Sequence, residues 1–324
     1  MKLLIKELAE ITCGAQSVVE QDGYVVFKRF TDEQARSYLE IGSQDYYNKS
    51  KATAGVRLSF STDAISINFD YKLISASSRE FAHIDVFEND VLCAHYELNG
   101  VDGSLEHKFN DGQKKVEIYL PWSKCLFAKN VVLKGATFIT PVKRSKKAIA
   151  FGDSITQGYD AEFPSNAYVN LISRALDADV IDLGIGGDKH FAHIVETMPK
   201  QEVDYITVAY GTNDWAYLTY AEFNQRCEDF YRALNEKFLG VKIFTILPIW
   251  RKEEILPSPE GYYLDDFRNR IIEITKQYNN ISIVGGKDLL PHDTELYSDK
   301  RLHPNDEGFN LYASNLLKQM EQNW

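Results

Sequence analysis

The apolar residues of this chain change period near residue 140, and that change restricts the fold to two differently built halves. Before it, apolar and polar positions alternate. Val56, Leu58 and Phe60 do so, and Ile65, Ile67, Phe69 and Tyr71 repeat the pattern after a break at Ser61-Thr62-Asp63. Ile84 and Val86 precede the turn Glu88-Asn89-Asp90, and Val116, Ile118 and Leu120 follow the turn Asn110-Asp111-Gly112. A period of two buries one face of each strand, and turn residues recur at short intervals. Few stretches here carry helical periodicity. The reading is an antiparallel β-sandwich of about eight strands over residues 1–140.

Ile139-Thr140-Pro141-Val142 and Lys143-Arg144-Ser145-Lys146-Lys147 then form a polar hinge that reads as a solvated linker. Beyond it, short apolar runs alternate with helical patterns. Strands are expected at 148–151, around Val180-Ile181, at 204–210, at 241–247 before Pro248, and at 281–284. Helices are expected at about 165–177 with Ser165 as N-cap, at 190–200, 220–238, 262–278 and 307–321. Strands without alternation, each followed by a helix, imply a parallel sheet covered on both faces, so residues 145–324 read as a three-layer α/β/α domain.

Composition narrows the function classes. The 324 residues carry a net charge of −11; a negative field repels phosphate backbones and disfavours nucleic-acid binding. No stretch approaches the roughly 18 apolar residues of a membrane span. Lys6, Glu7 and Glu10 stand where a signal peptide needs an apolar run, so a cytoplasmic location is expected. Cys13, Cys93, Cys125 and Cys227 are far apart and read as free thiols of a reducing compartment.

In parallel α/β sheets, reactive groups collect on the loops that leave the C-terminal strand ends. Four such loops stand out. Gly152-Asp153-Ser154 offers a hydroxyl and a backbone N–H at a strand-to-helix turn. Gly184-Ile185-Gly186-Gly187-Asp188 lets the backbone approach a substrate closely. Gly211-Thr212-Asn213-Asp214 provides an amide that keeps its protons at working pH. Asp299-Lys300-Arg301-Leu302-His303-Pro304 supplies an imidazole with a nearby carboxylate. Serine needs a base to become a nucleophile, and a tetrahedral intermediate needs prearranged donors for its oxyanion. The set suits acyl transfer to serine followed by hydrolysis. No cofactor and no metal are called for.

These four blocks, in order, resemble the SGNH hydrolase superfamily, also called GDSL esterases. The resemblance covers about 148–324 and implies a flavodoxin-like domain in which Ser154 is the nucleophile and His303 the base. It further implies that the Ser154 N–H, the Gly187 N–H and the Asn213 side chain form the oxyanion hole. Residues 1–140 resemble the jelly-roll domains that precede this catalytic domain in some carbohydrate esterases, with Lys115-Val116-Glu117-Ile118-Tyr119-Leu120-Pro121 as the similar strand. That likeness implies a sugar or oligosaccharide ester as substrate, most often an O-acetyl ester. Two positions depart from the family pattern. The orienting carboxylate usually stands three residues before the histidine, where this chain has Lys300; Asp299 is the expected triad member, reaching the ring through a bulge, and a Ser-His dyad with a backbone carbonyl orienting His303 is the alternative. Asp182 stands where an asparagine usually ties the loops together.

Other candidates lie at the same end of the sheet. Asp153, His190, Trp215, Trp250 and Arg251 are expected to contact substrate, the aromatic faces by stacking on sugar rings and the arginine by binding carboxylate or hydroxyl groups. Core packing is the rival reading for both tryptophans. His190 and His193 share a face without a spaced carboxylate, poor grounds for a metal site. Tyr46 and Tyr47 suit either a carbohydrate platform or sandwich packing. A lipase-like or thioester hydrolase, a sugar O-acetyltransferase and a non-catalytic glycan-binding protein are the alternative functions.

Overall fold

The computed structural model describes residues 1–41 and 43–324. Two antiparallel sheets fill the N-terminal part. Tyr24–Lys28, Lys124–Lys134, Ser66–Ser75 and Asp102–Lys108 lie side by side in one, with Ser17–Gln21 on its edge. Arg57–Thr62, Lys114–Tyr119, His83–Glu88 and Val91–Glu97 form the other, flanked by Thr12–Cys13 and Ile139–Pro141. Alternation works as the sequence predicts. Phe60, Val86, Val116 and Ile118 from one sheet pack against Ile67, Phe69, Leu105 and Leu133 from the other, all buried.

Three helices also belong to this half: Ile5–Ile11, Asp32–Glu40 and Gln44–Lys49. They correct the expectation that this half is all strand. Asp32–Glu40 opens on a capping box, with Thr31 and Gln34 exchanging hydrogen bonds. It turns Gln34, Ser37 and Tyr38 inward rather than an apolar stripe.

The C-terminal part is a five-stranded parallel sheet ordered Ala178–Gly184, Lys146–Gly152, Tyr205–Ala209, Lys242–Ile246 and Ile281–Val284. Counted along the chain the order is two-one-three-four-five, the flavodoxin-like arrangement with its switch point beside the first strand. Ala148 and Ala150 face a layer that includes Tyr168, Ile172, Phe309, Tyr312 and Leu316. Ile149 and Phe151 face the opposite layer, built on Phe223, Phe230, Leu234, Phe267 and Ile271.

Some boundaries differ from expectation. Residues 164–166 form a 3-10 turn, and the helix Tyr168–Ala175 starts after Ala167, so Ser165 is not its cap. Only Ala192–Glu196 of 190–200 is helical. The basic hinge is not simply solvated. The largely buried Arg144 guanidinium bonds Glu117 and Tyr119 of the sandwich and pairs with Ser173 of the following helix. The four cysteines are free, and Cys93 alone among them is exposed. No helix among the described residues is long and apolar enough to cross a membrane.

Candidate active site

The strand Lys146–Gly152 ends at the switch point, and Ser154 opens the turn of helix that follows. Asp153 caps that turn, its Oδ1 accepting the Ile155 N–H at 3.0 Å. The last strand-end loop brings His303 across 149 residues of sequence to Ser154, with Oγ to Nε2 at 2.9 Å. On the other side of the ring, Asp299 Oδ2 lies 2.8 Å from Nδ1. Ser154, His303 and Asp299 thus make a continuous line from hydroxyl to carboxylate. Burial pushes the Asp299 carboxyl up, but the bonds from the His303 ring and from the Leu302 and His303 backbone outweigh it and hold the group well below the ordinary carboxylate range.

A second carboxylate, Asp160, stands 3.8 Å from the same ring nitrogen. Arg79 from the sandwich grips it with two bonds, at 2.6 and 3.0 Å. The Tyr159 ring stacks on His303 at a centroid distance of 5.5 Å, and the Arg79 guanidinium lies over Tyr159. Among the described residues, Asp160, Asp299 and His303 are the group whose donor atoms come close enough to share a metal ion. Those donors are already committed to Arg79, to backbone N–H groups and to Ser154.

The loop at Gly184–Gly187 carries a near-complete set of backbone bonds. Gly184 N–H donates to Asp182 Oδ1, Ile185 N–H to the Gly152 carbonyl, and Gly186 N–H to Gln157 Oε1. The carbonyls of Gly184, Ile185, Gly186 and Gly187 accept from Arg29, the Asp188 N–H, Lys49 and Tyr46 respectively. Among the described residues, the Gly187 N–H has no acceptor. Gly187 is half-buried, so its N–H can meet solvent or a bound substrate. Gly187 has φ 89°, a value glycine adopts freely. The buried Asn213 amide donates to the Asp188 carbonyl at 3.1 Å and, over a longer 3.4 Å, to Asp153 Oδ2, the bond a substrate oxyanion would replace. Burial pushes the Asp153 carboxyl up to about 7.

The five expected substrate contacts are all buried. His190 is fully buried, bonded through Nδ1 to Asp214 at 3.0 Å and facing Tyr210, Phe223, Phe230 and Tyr231. His193 instead lies half in solvent beside Glu196. Trp215 is buried, its indole N–H donating to the Tyr262 carbonyl, with Arg251 over its ring. Trp250 is buried and stacks on His292 at 3.9 Å. Arg251 donates from Nε to Glu253 and from Nη1 to Thr212. Asp153 is buried and serves the helix cap. A strand-end position brings these side chains near the loops, but large aromatic faces gain more from burial there.

Sequence reasoning missed Arg29, Lys49, Arg79, Gln157 and Asp160. Arg29 is fully buried and donates to the carbonyls of Ala52, Asp182 and Gly184, with Asp182 Oδ1 at 3.6 Å. It ties the Asp182–Gly184 segment to the N-terminal half. Tyr46, read as a sugar platform or as packing, instead hydrogen-bonds the oxyanion-loop candidate at Gly187 O.

The model of the GDSL-like lipase/acylhydrolase family matches residues 150–311. A search of curated proteins finds no match. Among solved structures, the chain resembles a salicylyl-acyltransferase from a tetracycline biosynthetic pathway, at 24% identity and TM-score 0.85, covering 96% of this chain and 94% of that one. It also resembles a putative GDSL-like lipase from Bacteroides ovatus, at 18% identity and TM-score 0.79, covering 99% and 97%. An acetyl xylan esterase from Butyrivibrio proteoclasticus matches at 14% identity and TM-score 0.65, covering 100% and 98%.

Proposed function

The chain belongs to the GDSL-like lipase/acylhydrolase family, and we propose that it is a serine esterase that removes acyl groups, acetyl foremost, from sugars or oligosaccharides. The observation that carries this reading is the line Ser154–His303–Asp299, with contacts of 2.9 and 2.8 Å, beside a Gly187 N–H left without an acceptor.

The chemistry runs as follows. His303 Nε2 accepts the Ser154 proton as Oγ attacks the ester carbonyl. Asp299 holds the Nδ1–H and stabilises the imidazolium that forms. The carbonyl oxygen becomes an oxyanion, held by the N–H groups of Ser154 and Gly187 and the amide of Asn213. The intermediate collapses, the carbon–oxygen bond to the alcohol breaks, and His303 returns its proton to the departing alkoxide. Water, deprotonated by His303, then attacks the acyl-serine and releases the carboxylic acid and free Ser154. Asp153 supports the turn that presents the serine. Small-molecule or oligosaccharide esters are the partners; no step calls for a nucleic acid, a membrane or a cofactor.

The carbohydrate part of the reading draws on the N-terminal half. Counted along the chain, its eight main strands lie in the orders one-eight-three-six and two-seven-four-five, which supports a jelly roll of two interlocked Greek keys. An acetyl xylan esterase shares this two-part architecture over its whole length.

Ser154→Ala tests the mechanism with 4-nitrophenyl acetate, and its hydrolysis is expected to fall to background. Retention of wild-type rates would end the proposal. Mass shifts on acetylated xylo- and manno-oligosaccharides test the substrate class, with faster turnover of acetyl than octanoyl esters expected. Preference for octanoyl esters would replace it with a lipase-like role.

A further inference from the structure

We propose that Lys49 and Tyr46, both on the short helix Gln44–Lys49 of the N-terminal half, are positioning residues that aim and polarise the Gly187 N–H toward a substrate oxyanion. The inference rests on the esterase reading above and adds two residues from outside the family-matched segment.

The Gly186–Gly187 peptide is planar and trans, so its C=O and N–H point in opposite directions. Lys49 Nζ donates to the Gly186 carbonyl at 2.9 Å. Fixing that oxygen fixes the N–H of Gly187 on the far side of the peptide. The next peptide is fixed as well, because the Tyr46 hydroxyl donates to the Gly187 carbonyl at 2.7 Å. Lys189 Nζ in turn donates to the Tyr46 oxygen at 2.9 Å, which strengthens the phenol as a donor. Burial first, and the charge of Asp188 next, push the Tyr46 phenol well above its ordinary range, so it stays protonated.

Such clamping has a reason here. A peptide between two glycines meets little steric resistance to rotation, and an oxyanion donor is effective only when held in place beforehand. The ammonium does more than hold. Charge drawn toward the carbonyl oxygen leaves the N–H of the same peptide more positive, the direction that favours an oxyanion. The carbonyl of Lys49 is itself held by Arg29 at 3.2 Å, so the helix is anchored at the residue that acts.

The rival account is that Lys49 merely steadies its helix through Asp45, which it meets at 2.6 Å. Steady-state kinetics on 4-nitrophenyl acetate and inhibition by phenylboronic acid, whose serine adduct presents a tetrahedral oxyanion, separate the two. In Lys49→Met, kcat should fall about tenfold with KM changed less than about twofold, and the boronate Ki should rise in step with the loss of kcat/KM. Lys49→Arg should recover most of the rate, and Asp45→Asn should match wild type. Tyr46→Phe should lose about threefold in kcat. The proposal is overturned if Lys49→Met keeps wild-type kcat and boronate affinity, or if Asp45→Asn loses as much as Lys49→Met. If Lys49→Met does not fold, Lys49→Gln is measured against Asp45→Asn on the same criteria. Loss of activity in Ser154→Ala beside an unimpaired Lys49→Met removes this inference alone, whereas an active Ser154→Ala removes the esterase reading beneath it.

Discussion

Asp299 stands four residues before His303, yet its Oδ2 lies 2.8 Å from the imidazole Nδ1. Lys300 absorbs the extra residue by taking a φ of 54°, a left-handed conformation that costs a non-glycine residue roughly 1–2 kcal/mol. The other carboxylate oxygen repays that strain by accepting the N–H groups of Arg301, Leu302 and His303 at 2.9, 2.8 and 3.1 Å. The bulge in this loop is therefore a built feature, and the carboxylate that fills it is tied to the ring.

Asp299→Asn tests that tie. The amide cannot stabilise an imidazolium as a carboxylate does, and it favours the wrong ring tautomer. We expect kcat/KM on 4-nitrophenyl acetate to fall by about 100-fold or more. A loss below about threefold would mean that His303 works without Asp299, as a dyad with Ser154.

Much of this arrangement is legible in the sequence, and what is not has a physical cause. The change of period near residue 140 separates alternating strands from buried ones, because sheets with one and with two covered faces need different patterns. Ser154, Gly187 and Asn213 are legible because each follows such a strand, and His303 because it stands before Pro304 ahead of the last helix. The helix Asp32–Glu40 is not, because its buried face is polar: Gln34 donates to the Ile194 carbonyl and Tyr38 to Asp188. Hydrophobic periodicity cannot register a face of that kind. Arg29, Lys49 and Arg79 escape for a related reason. Their partners are backbone carbonyls or a lone carboxylate in the other half of the chain, and pairings of that kind leave no periodic trace. Trp215 and Trp250 take the core-packing alternative that the sequence left open, and His190 is turned fully inward.

Arg79 neutralises Asp160, which lies 3.8 Å from the His303 Nδ1. With Arg79→Gln, that carboxylate is left uncompensated beside the ring, and a nearby negative charge favours the imidazolium. Since only the neutral ring can take the serine proton, the acidic limb of the kcat/KM profile should move to higher pH. The double variant Arg79→Gln/Asp160→Asn should return the limb to its wild-type place. A limb that stays put in the single variant would show that solvent screens Asp160 from the ring.

Arg29 is the central tie between the two halves, and its removal strands Asp182. That carboxylate is buried with Arg29 3.6 Å away, and removing one partner of a buried pair typically costs about 3–5 kcal/mol. Arg29→Ala should therefore lower the unfolding free energy by that amount in urea titrations. Adding Asp182→Asn should restore part of it, because the stranded charge is gone. Burial already pushes the Asp182 carboxyl up to about 7, so a cost below about 1 kcal/mol in the single variant would mean that Asp182 takes a proton instead of standing as a stranded charge.

Asp188 makes stability depend on pH with a definite sign. It is buried and accepts the Tyr38 hydroxyl at 2.7 Å, yet burial pushes its carboxyl up to about 6, against about 3.9 in an unfolded chain. Between those values the folded protein binds the proton more tightly than the unfolded one. The resulting stabilisation is fully present below the unfolded pKa and is lost as pH rises through the folded one. Asp188→Asn has no proton to lose, so the stability of wild type relative to this variant should fall by roughly 1–2 kcal/mol between pH 5 and pH 8. Urea unfolding of both proteins at the two pH values measures it, and Asp153, raised in the same direction, cancels in the difference if it titrates alike in both. Parallel curves for the two proteins across that range would show that Asp188 stays ionised in the fold, with its Tyr38 bond outweighing burial.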